Sequence, residues 1–227
     1  MHVAKLHIQG NSLVGLYIVA MDEIVLVGPE VPDKYDKDLA EIFKAKVVRT
    51  TIAGTSLIGI FAATNGKELL VPHMILDNEE EILKENNISY HKIQSNLTCH
   101  GNNIVANKNA AILNPNYEEE AAEQIKTALG TDIFPASVDD APTVGSFMVA
   151  NDKYGLVSHE VSDVEFDHIV KVLKIELDAG TVNMGSTTIG SGIVVNTEGF
   201  VIGDMSGGPE VMNADEVLGF LNRGDEQ

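Results

Sequence analysis

A pattern of about 44 residues recurs five times along this chain, and it limits the possible folds more than any other feature. With Gly59 as register zero, corresponding glycines stand at 15, 101, 145 and 190, so successive copies begin 44, 42, 44 and 45 residues apart. Six residues beyond zero, four copies carry an asparagine: Asn65, Asn107, Asn151 and Asn196. The first copy has Met21 there, followed by Asp22. Thirteen residues beyond zero, an apolar run stops at Gly28, Pro72, Asn114, Ser158 or Gly203. A repeat of this size cannot bury its apolar face alone and must stack on its neighbours.

Each copy reads as three short strands and one amphipathic helix. In the second, apolar runs at 57–64 and 69–71 flank Asn65-Gly66, which predicts a hairpin with a type I′ turn. Tight turns are also expected at Gly10-Asn11 and Ala53-Gly54. Tyr35, Leu39, Ile42 and Phe43 make one helical stripe, and Phe166, Ile169, Val170 and Leu173 another. Asp77, Asn116, Ser162 and Asn213, each followed three residues later by a glutamate, predict helix starts. The last helix is placed over 214–222, and Gly130 reads as the C′ residue of a helix stripe Ala121, Ile125, Leu129. Continuous apolar strands such as Ile24-Val-Leu-Val27 call for cover on both faces.

The repeats run approximately over 1–46, 47–87, 88–130, 131–174 and 175–227, within a single domain. An open solenoid needs polar capping repeats, whereas the first and last copies here are nearly as apolar as the middle three. Propeller blades of this length have four strands and no capped helix. The predicted architecture is therefore a closed, five-fold pseudosymmetric α/β ring, with helices outside and the asparagine turns along one rim.

Composition narrows the function. The net charge of −19, from 15 basic and 34 acidic residues, opposes general binding to nucleic-acid phosphates. A basic protein partner fits better. No run reaches the ~18–20 apolar residues of a membrane span, and the N-terminus lacks a signal-peptide pattern. The single Cys99 excludes an internal disulfide framework. The expected location is the cytoplasm, the expected state a monomer, and no cofactor or metal is expected.

IAGTSLIG (52–59), NGKELLVP (65–72), LTCHGN (97–102), VGSFMVAN (144–151) and AGTVNMGS (179–186) are spread over the whole chain. With these stretches the sequence resembles the translation initiation factor 6 family. The resemblance implies the pentein fold, which agrees with the ring read from the repeats. It also implies binding to the large ribosomal subunit on the face that meets the small one, prevention of premature joining, and a part in large-subunit maturation. The implied partner is mainly a ribosomal protein of the L14 type, near the sarcin–ricin loop. Eukaryotic members carry a further tail; this sequence stops at Gln227 and resembles the archaeal form.

The candidate contact residues are Asn65, Gly66, Asn102, Asn103, Asn107, Asn151 and Asn196. The resemblance favours Asn65 and Asn102, while Ile60 and Gly66 stand where some relatives carry basic residues. A simpler account is that asparagine tolerates left-handed backbone in turns. Cys99-His100 invites comparison with the guanidino-modifying enzymes that share the pentein fold. Their nucleophile lies near the C-terminus, however, where this chain has no cysteine. His73 and His159 lack metal-ligand spacing, and the glycine-rich run 204–209 lacks the lysine of a phosphate loop.

Overall fold

The computed structural model describes residues 1–221. Among them, fifteen strands form five three-stranded sheets, each an antiparallel pair joined by a parallel third strand. The sheets are β2 (Ile18–Ala20), β3 (Ile24–Val27) and β4 (Lys46–Arg49); β5 (Ala63–Thr64), β6 (Leu69–Pro72) and β7 (Tyr90–Ile93); and β8 (Ile104–Ala106), β9 (Ala110–Leu113) and β10 (Asp132–Pro135). The fourth has β11 (Met148–Ala150), β12 (Tyr154–Ser158) and β13 (Glu176–Gly180). The fifth pairs β14 (Ile193–Val195) and β15 (Phe200–Gly203) with β1 (Val3–Leu6).

The strands of one sheet thus do not begin where a sequence copy begins. Each hairpin takes its third strand from the start of the next copy. The last hairpin takes it from the N-terminus, in the register Val3↔Phe200 to Leu6↔Gly203. Phe200 N–H to His2 O (2.9 Å) and Asp204 N–H to Leu6 O (2.8 Å) extend that ladder at both ends. This pairing closes the ring.

Outer helices α1 (Asp36–Phe43), α2 (Asp77–Glu85), α3 (Glu119–Leu129), α4 (Asp163–Leu173) and α5 (Gly208–Val217) cover the sheets. Their buried stripes follow the sequence pattern: Leu39, Ile42 and Phe43 on α1, and Ala121, Ile125 and Leu129 on α3. On α4 it is Val172, not Val170, that is buried with Ile169 and Leu173. The strands between them, such as Leu69–Pro72 and Phe200–Gly203, are buried along their whole length. Five aliphatic cores result, and that of the first sheet draws Leu6, Val194 and Val201 from the fifth as well.

The helix starts depart from expectation in places. Ser162 caps α4 as predicted, with Glu165 reaching back to its N–H. The last helix begins at Gly208, six residues before the expected start, with Pro209 in its first turn. Proline's fixed φ suits that position. The predicted end of this helix at Asn222 lies outside the described residues. Asn116 likewise stands ahead of the true N-cap, Glu118.

At the axis, the register-zero glycines have a strict purpose. A Cβ on Gly59 would fall 1.8 Å from the Gly15 carbonyl oxygen, and on Gly101 1.9 Å from that of Gly59. Gly145 meets Gly101, Gly190 meets Gly145 and Gly15 meets Gly190 in the same way, at 2.0, 1.9 and 2.0 Å. Five backbones converge too closely for any side chain. For this reason Ile58–Phe61 forms a single helical turn and not the first half of the expected strand. The inner strands β2, β5, β8, β11 and β14 then run side by side around a narrow axial channel of about 130 Å³.

Each inner strand runs from the glycine ring to a hairpin tip, and each outer helix returns toward that tip. The ring therefore has two unlike faces. The hairpin face carries the tips and the helix C-termini. The loop face carries the glycine ring, the tight loops after the third strands and the helix N-termini.

Candidate docking faces of the ring

On the hairpin face, Asn65, Asn107, Asn151 and Asn196 come together at the channel mouth, with Asp22 in the first copy's place. None has left-handed backbone, so the simple explanation by turn tolerance does not apply. Each uses its side-chain oxygen to accept the N–H groups two and three residues ahead: Lys67 and Glu68, Asn109 and Ala110, Lys153 and Tyr154, Glu198 and Gly199. These are Asx turns. The Asn65 loop spans four residues, closed by the Thr64↔Leu69 pair, and only Gly66 has positive φ (95°). It is not the predicted type I′ turn.

The amide nitrogens of three of these asparagines tie one blade to the next. Asn107 Nδ2 donates to Leu173 O (3.0 Å) and Asn151 O (3.3 Å), and Asn196 Nδ2 to Phe43 O (3.0 Å) and Met21 O (3.1 Å). Asn65 Nδ2 donates to Leu129 O (3.2 Å). Leu173, Phe43 and Leu129 are each the last residue of an outer helix, where carbonyls lack intrahelical partners. Asn107, Asn196 and Asn151 are only 1%, 5% and 8% exposed. Asn107 and Asn196 spend their side-chain amides on the joints between blades, and Asn151 spends its oxygen on its own turn. What the rim exposes instead is Asp22, Lys67, Lys108 and Lys153. Lys108 bridges to Asp152 at 2.8 Å. Partial burial at the channel mouth, together with the Asp152 carboxylate, pushes the Asp22 carboxyl above its ordinary range.

Asn102 and Asn103 stand at the other end of strand β8, beside the glycine ring. Three strand residues, roughly 10 Å, separate them from Asn107. The seven candidates therefore do not form one site. Asn103 is buried, donating to Cys99 O (2.7 Å) and accepting from Asn114 Nδ2 (2.6 Å). Asn102 is half-buried.

The loop face has an organising element of its own, a glutamate that gathers the N–H groups of a left-handed loop. Type I′ geometry, with both central residues at positive φ, occurs here at Gln9-Gly10, Ala53-Gly54 and Asp139-Asp140. A longer loop, Asn183-Met184-Gly185, is left-handed throughout. A glutamate in the first turn of the adjoining helix accepts the N–H groups of each of three loops. Glu79 takes Ala53 and Gly54, Glu165 takes Asp139 and Asp140, and Glu210 takes Met184 and Gly185. A hydroxyl at the end of the preceding strand adds a further bond, from Thr51, Ser137 and Thr181 respectively. Burial raises Glu165, but hydrogen bonds from Ser162, Ser137 and Asp140 outweigh it and hold the carboxyl at about 2. The signal was present in the sequence: a Ser or Thr precedes its glutamate by 28 or 29 residues in these three copies.

Cys99 and His100 do not assemble a nucleophile and base. His100 is fully buried, its Nδ1 bonded to the Tyr117 hydroxyl at 2.7 Å. Burial, followed by the charge of His73, depresses its pKa to about 4. His73 and His159 are exposed. Among the described residues, no helix is long and apolar enough to cross a membrane.

Five blades of three strands and a helix, closed about a glycine axis by the N-terminal strand, define an α/β ring of the pentein type. Within that class the chain belongs to the eIF-6 family, whose model matches residues 3–217. It is 33% identical to translation initiation factor 6 of Thermococcus onnurineus over 98% of this chain and 100% of that protein. It is 30% identical to that of Pyrobaculum aerophilum over 96% and 99%. Among solved structures, the N-terminal domain of ArgZ, an arginine dihydrolase from cyanobacteria, superimposes with TM-score 0.49 and 10% identity. That match covers 74% of this chain and 67% of the other. The agmatine deiminase of C. jejuni gives 0.44 and 12%, covering 74% and 65%. Likeness at that level says nothing about chemistry.

Proposed function

We propose that this ring binds the large ribosomal subunit on its intersubunit face and prevents association with the small subunit, with a further part in large-subunit maturation. Membership of a translation initiation factor family over nearly the whole chain is the observation that carries this reading. The docking partner is mainly a ribosomal protein of the L14 type near the sarcin–ricin loop. The ring acts as a monomer in the cytoplasm, and its single domain comprises the five repeats.

The mechanism is exclusion without a chemical step. A ring closed in sequence-distant register and tied blade to blade is a stiff body, and a stiff body on the joining face keeps the other subunit out by volume. The net charge of −19 adds repulsion toward rRNA phosphates, but physiological salt screens this beyond roughly 8 Å. Of the sequence-derived contact candidates, Asn65, Gly66 and Asn102 have side or edge atoms within reach of a partner. Asn103, Asn107, Asn151 and Asn196 contribute by fixing the backbone around them. Co-sedimentation with separated subunits tests the proposal: the ring should travel with the large subunit alone. Travel with the small subunit, or with neither, would refute it.

A further inference from the structure

Each sheet ends on its third strand, so the ring carries strand edges around its wall, between the two faces. Open edges invite pairing with other chains, and folded proteins blunt them. Two of these edges are blunted. On β10 the outward-pointing residues are Ile133 and Pro135; proline has no N–H to offer, and His168 Nε2 caps its carbonyl at 3.2 Å. On β13 the outward N–H of Ala179 is taken by Asp178 Oδ1 (2.7 Å), and Asn213 Nδ2 reaches its carbonyl (3.4 Å). The edge of β7 is different. Leu69 N–H donates to Ser89 O and His73 N–H to Ile93 O, which turns Ser89, His91 and Ile93 toward β6 and leaves Tyr90 and Lys92 pointing outward. Among the described residues, nothing bonds the outward N–H or C=O of either.

A groove of about 660 Å³ runs along this open edge, between β7 and the outer side of α3. One end of it is already filled in a telling way. Gln124 Oε1 on α3 accepts the next outward N–H, that of Gln94, at 2.9 Å, as the carbonyl of a neighbouring strand would. Beyond that contact α3 lines the groove with Glu120, Glu123 and Thr127, all exposed. Neither carboxylate has an ion-pair partner among the described residues, and the nearby cations are engaged elsewhere: Lys92 with Glu80 (2.9 Å) and Lys126 with Asp132 (3.3 Å). An unused strand edge thus faces an unpaired acidic wall. An extended peptide satisfies both, its main chain bonding Tyr90 and Lys92 while alternate side chains project from one face toward the carboxylates. We infer that the groove between β7 and α3 captures a basic, extended tail of a partner protein by strand addition. The site lies on the flank of the ring and leaves both faces free, so a tail can be held whether or not the ring is seated on a subunit.

Fluorescence anisotropy with labelled synthetic peptides, at fixed salt and without ribosomal subunits, tests this. A short peptide alternating valine and lysine should bind saturably, at one site per ring. The same peptide with every backbone amide N-methylated keeps its charge but has no N–H to pair, and should bind at least about tenfold more weakly. Glu120→Gln with Glu123→Gln should weaken binding of the unmethylated peptide about threefold or more. Glu41→Gln with Glu216→Gln removes the same charge from exposed positions on α1 and α5, and should leave binding within about 1.5-fold of the parent. Absence of saturable binding overturns the inference. So does equal binding of the methylated peptide, or an equal loss in the two double variants, since either would mean diffuse attraction to an acidic surface. Concentration-dependent dimers of the ring that the peptide dissolves would assign the edge to a second copy and overturn it as well.

Discussion

At the scale of single residues, the recurring asparagine and glycine are the sequence's own marks of symmetry, and both are structural. The sequence made the register of Asn107 legible but not its purpose, because the helix-end carbonyl it serves belongs to a residue 66 positions away. Asn107→Ala removes the turn bonds and strands the buried Leu173 carbonyl, and should cost about 2–4 kcal/mol in urea denaturation. Gly101→Ala sets a methyl 1.9 Å from the Gly59 oxygen. No side-chain rotation relieves that contact, so the variant should lose at least about 3 kcal/mol or fail to yield soluble ring. Glu165 gives a pH signature. Its folded pKa of about 2 lies below the ordinary value of 4.5, so its stabilisation is present above 4.5 and is lost as pH falls toward 2. Glu165→Gln should therefore flatten the acid limb of the urea midpoint between pH 5 and 2, and an unchanged acid limb would contradict the bonding described.

At the scale of elements, periodicity identified the outer helices and inner strands, while the ends and partners of several were hidden. The strand 57–64 gave way to a helical turn because five chains meet at the axis, and a single copy's apolar pattern carries no trace of the other four. The last helix was placed late because Gly207-Gly208-Pro209 reads as a loop, although proline in a first turn and Glu210 reaching back to Gly207 N–H form a sound start. The offset of sheets from repeats was equally invisible, since it depends on the N-terminal strand crossing to the last hairpin. That strand makes a specific prediction. Deleting residues 1–8 leaves β15 as an unpaired edge whose Phe200, Val201 and Ile202 are fully buried in the intact ring. Exposed apolar edges template pairing between chains. Size-exclusion chromatography should show a shift to species larger than the parent peak, with increased binding of a hydrophobic dye.

At the scale of the whole molecule, family and ring were both legible, because motifs and repeats extend over the full length. The faces were not. Methionines at 74, 184 and 205 and lysines at 67, 108 and 153 are scattered in sequence, and only closure of the ring sorts them to opposite sides. Electrostatic docking followed by steric blocking predicts a dissociation in salt. Raising salt from about 0.05 to 0.3 M should lower the fraction of ring bound to large subunits, while blocking per bound molecule stays constant. A steep fall in blocking per bound molecule would mean that repulsion, not volume, excludes the small subunit. The central claim is tested most directly by light scattering of large and small subunits mixed under joining conditions, with increasing amounts of the ring pre-bound to the large subunit. The account predicts that association falls in proportion to occupancy and is abolished near one ring per large subunit. Full association at saturating occupancy, or inhibition only when the ring is pre-mixed with small subunits, would contradict it.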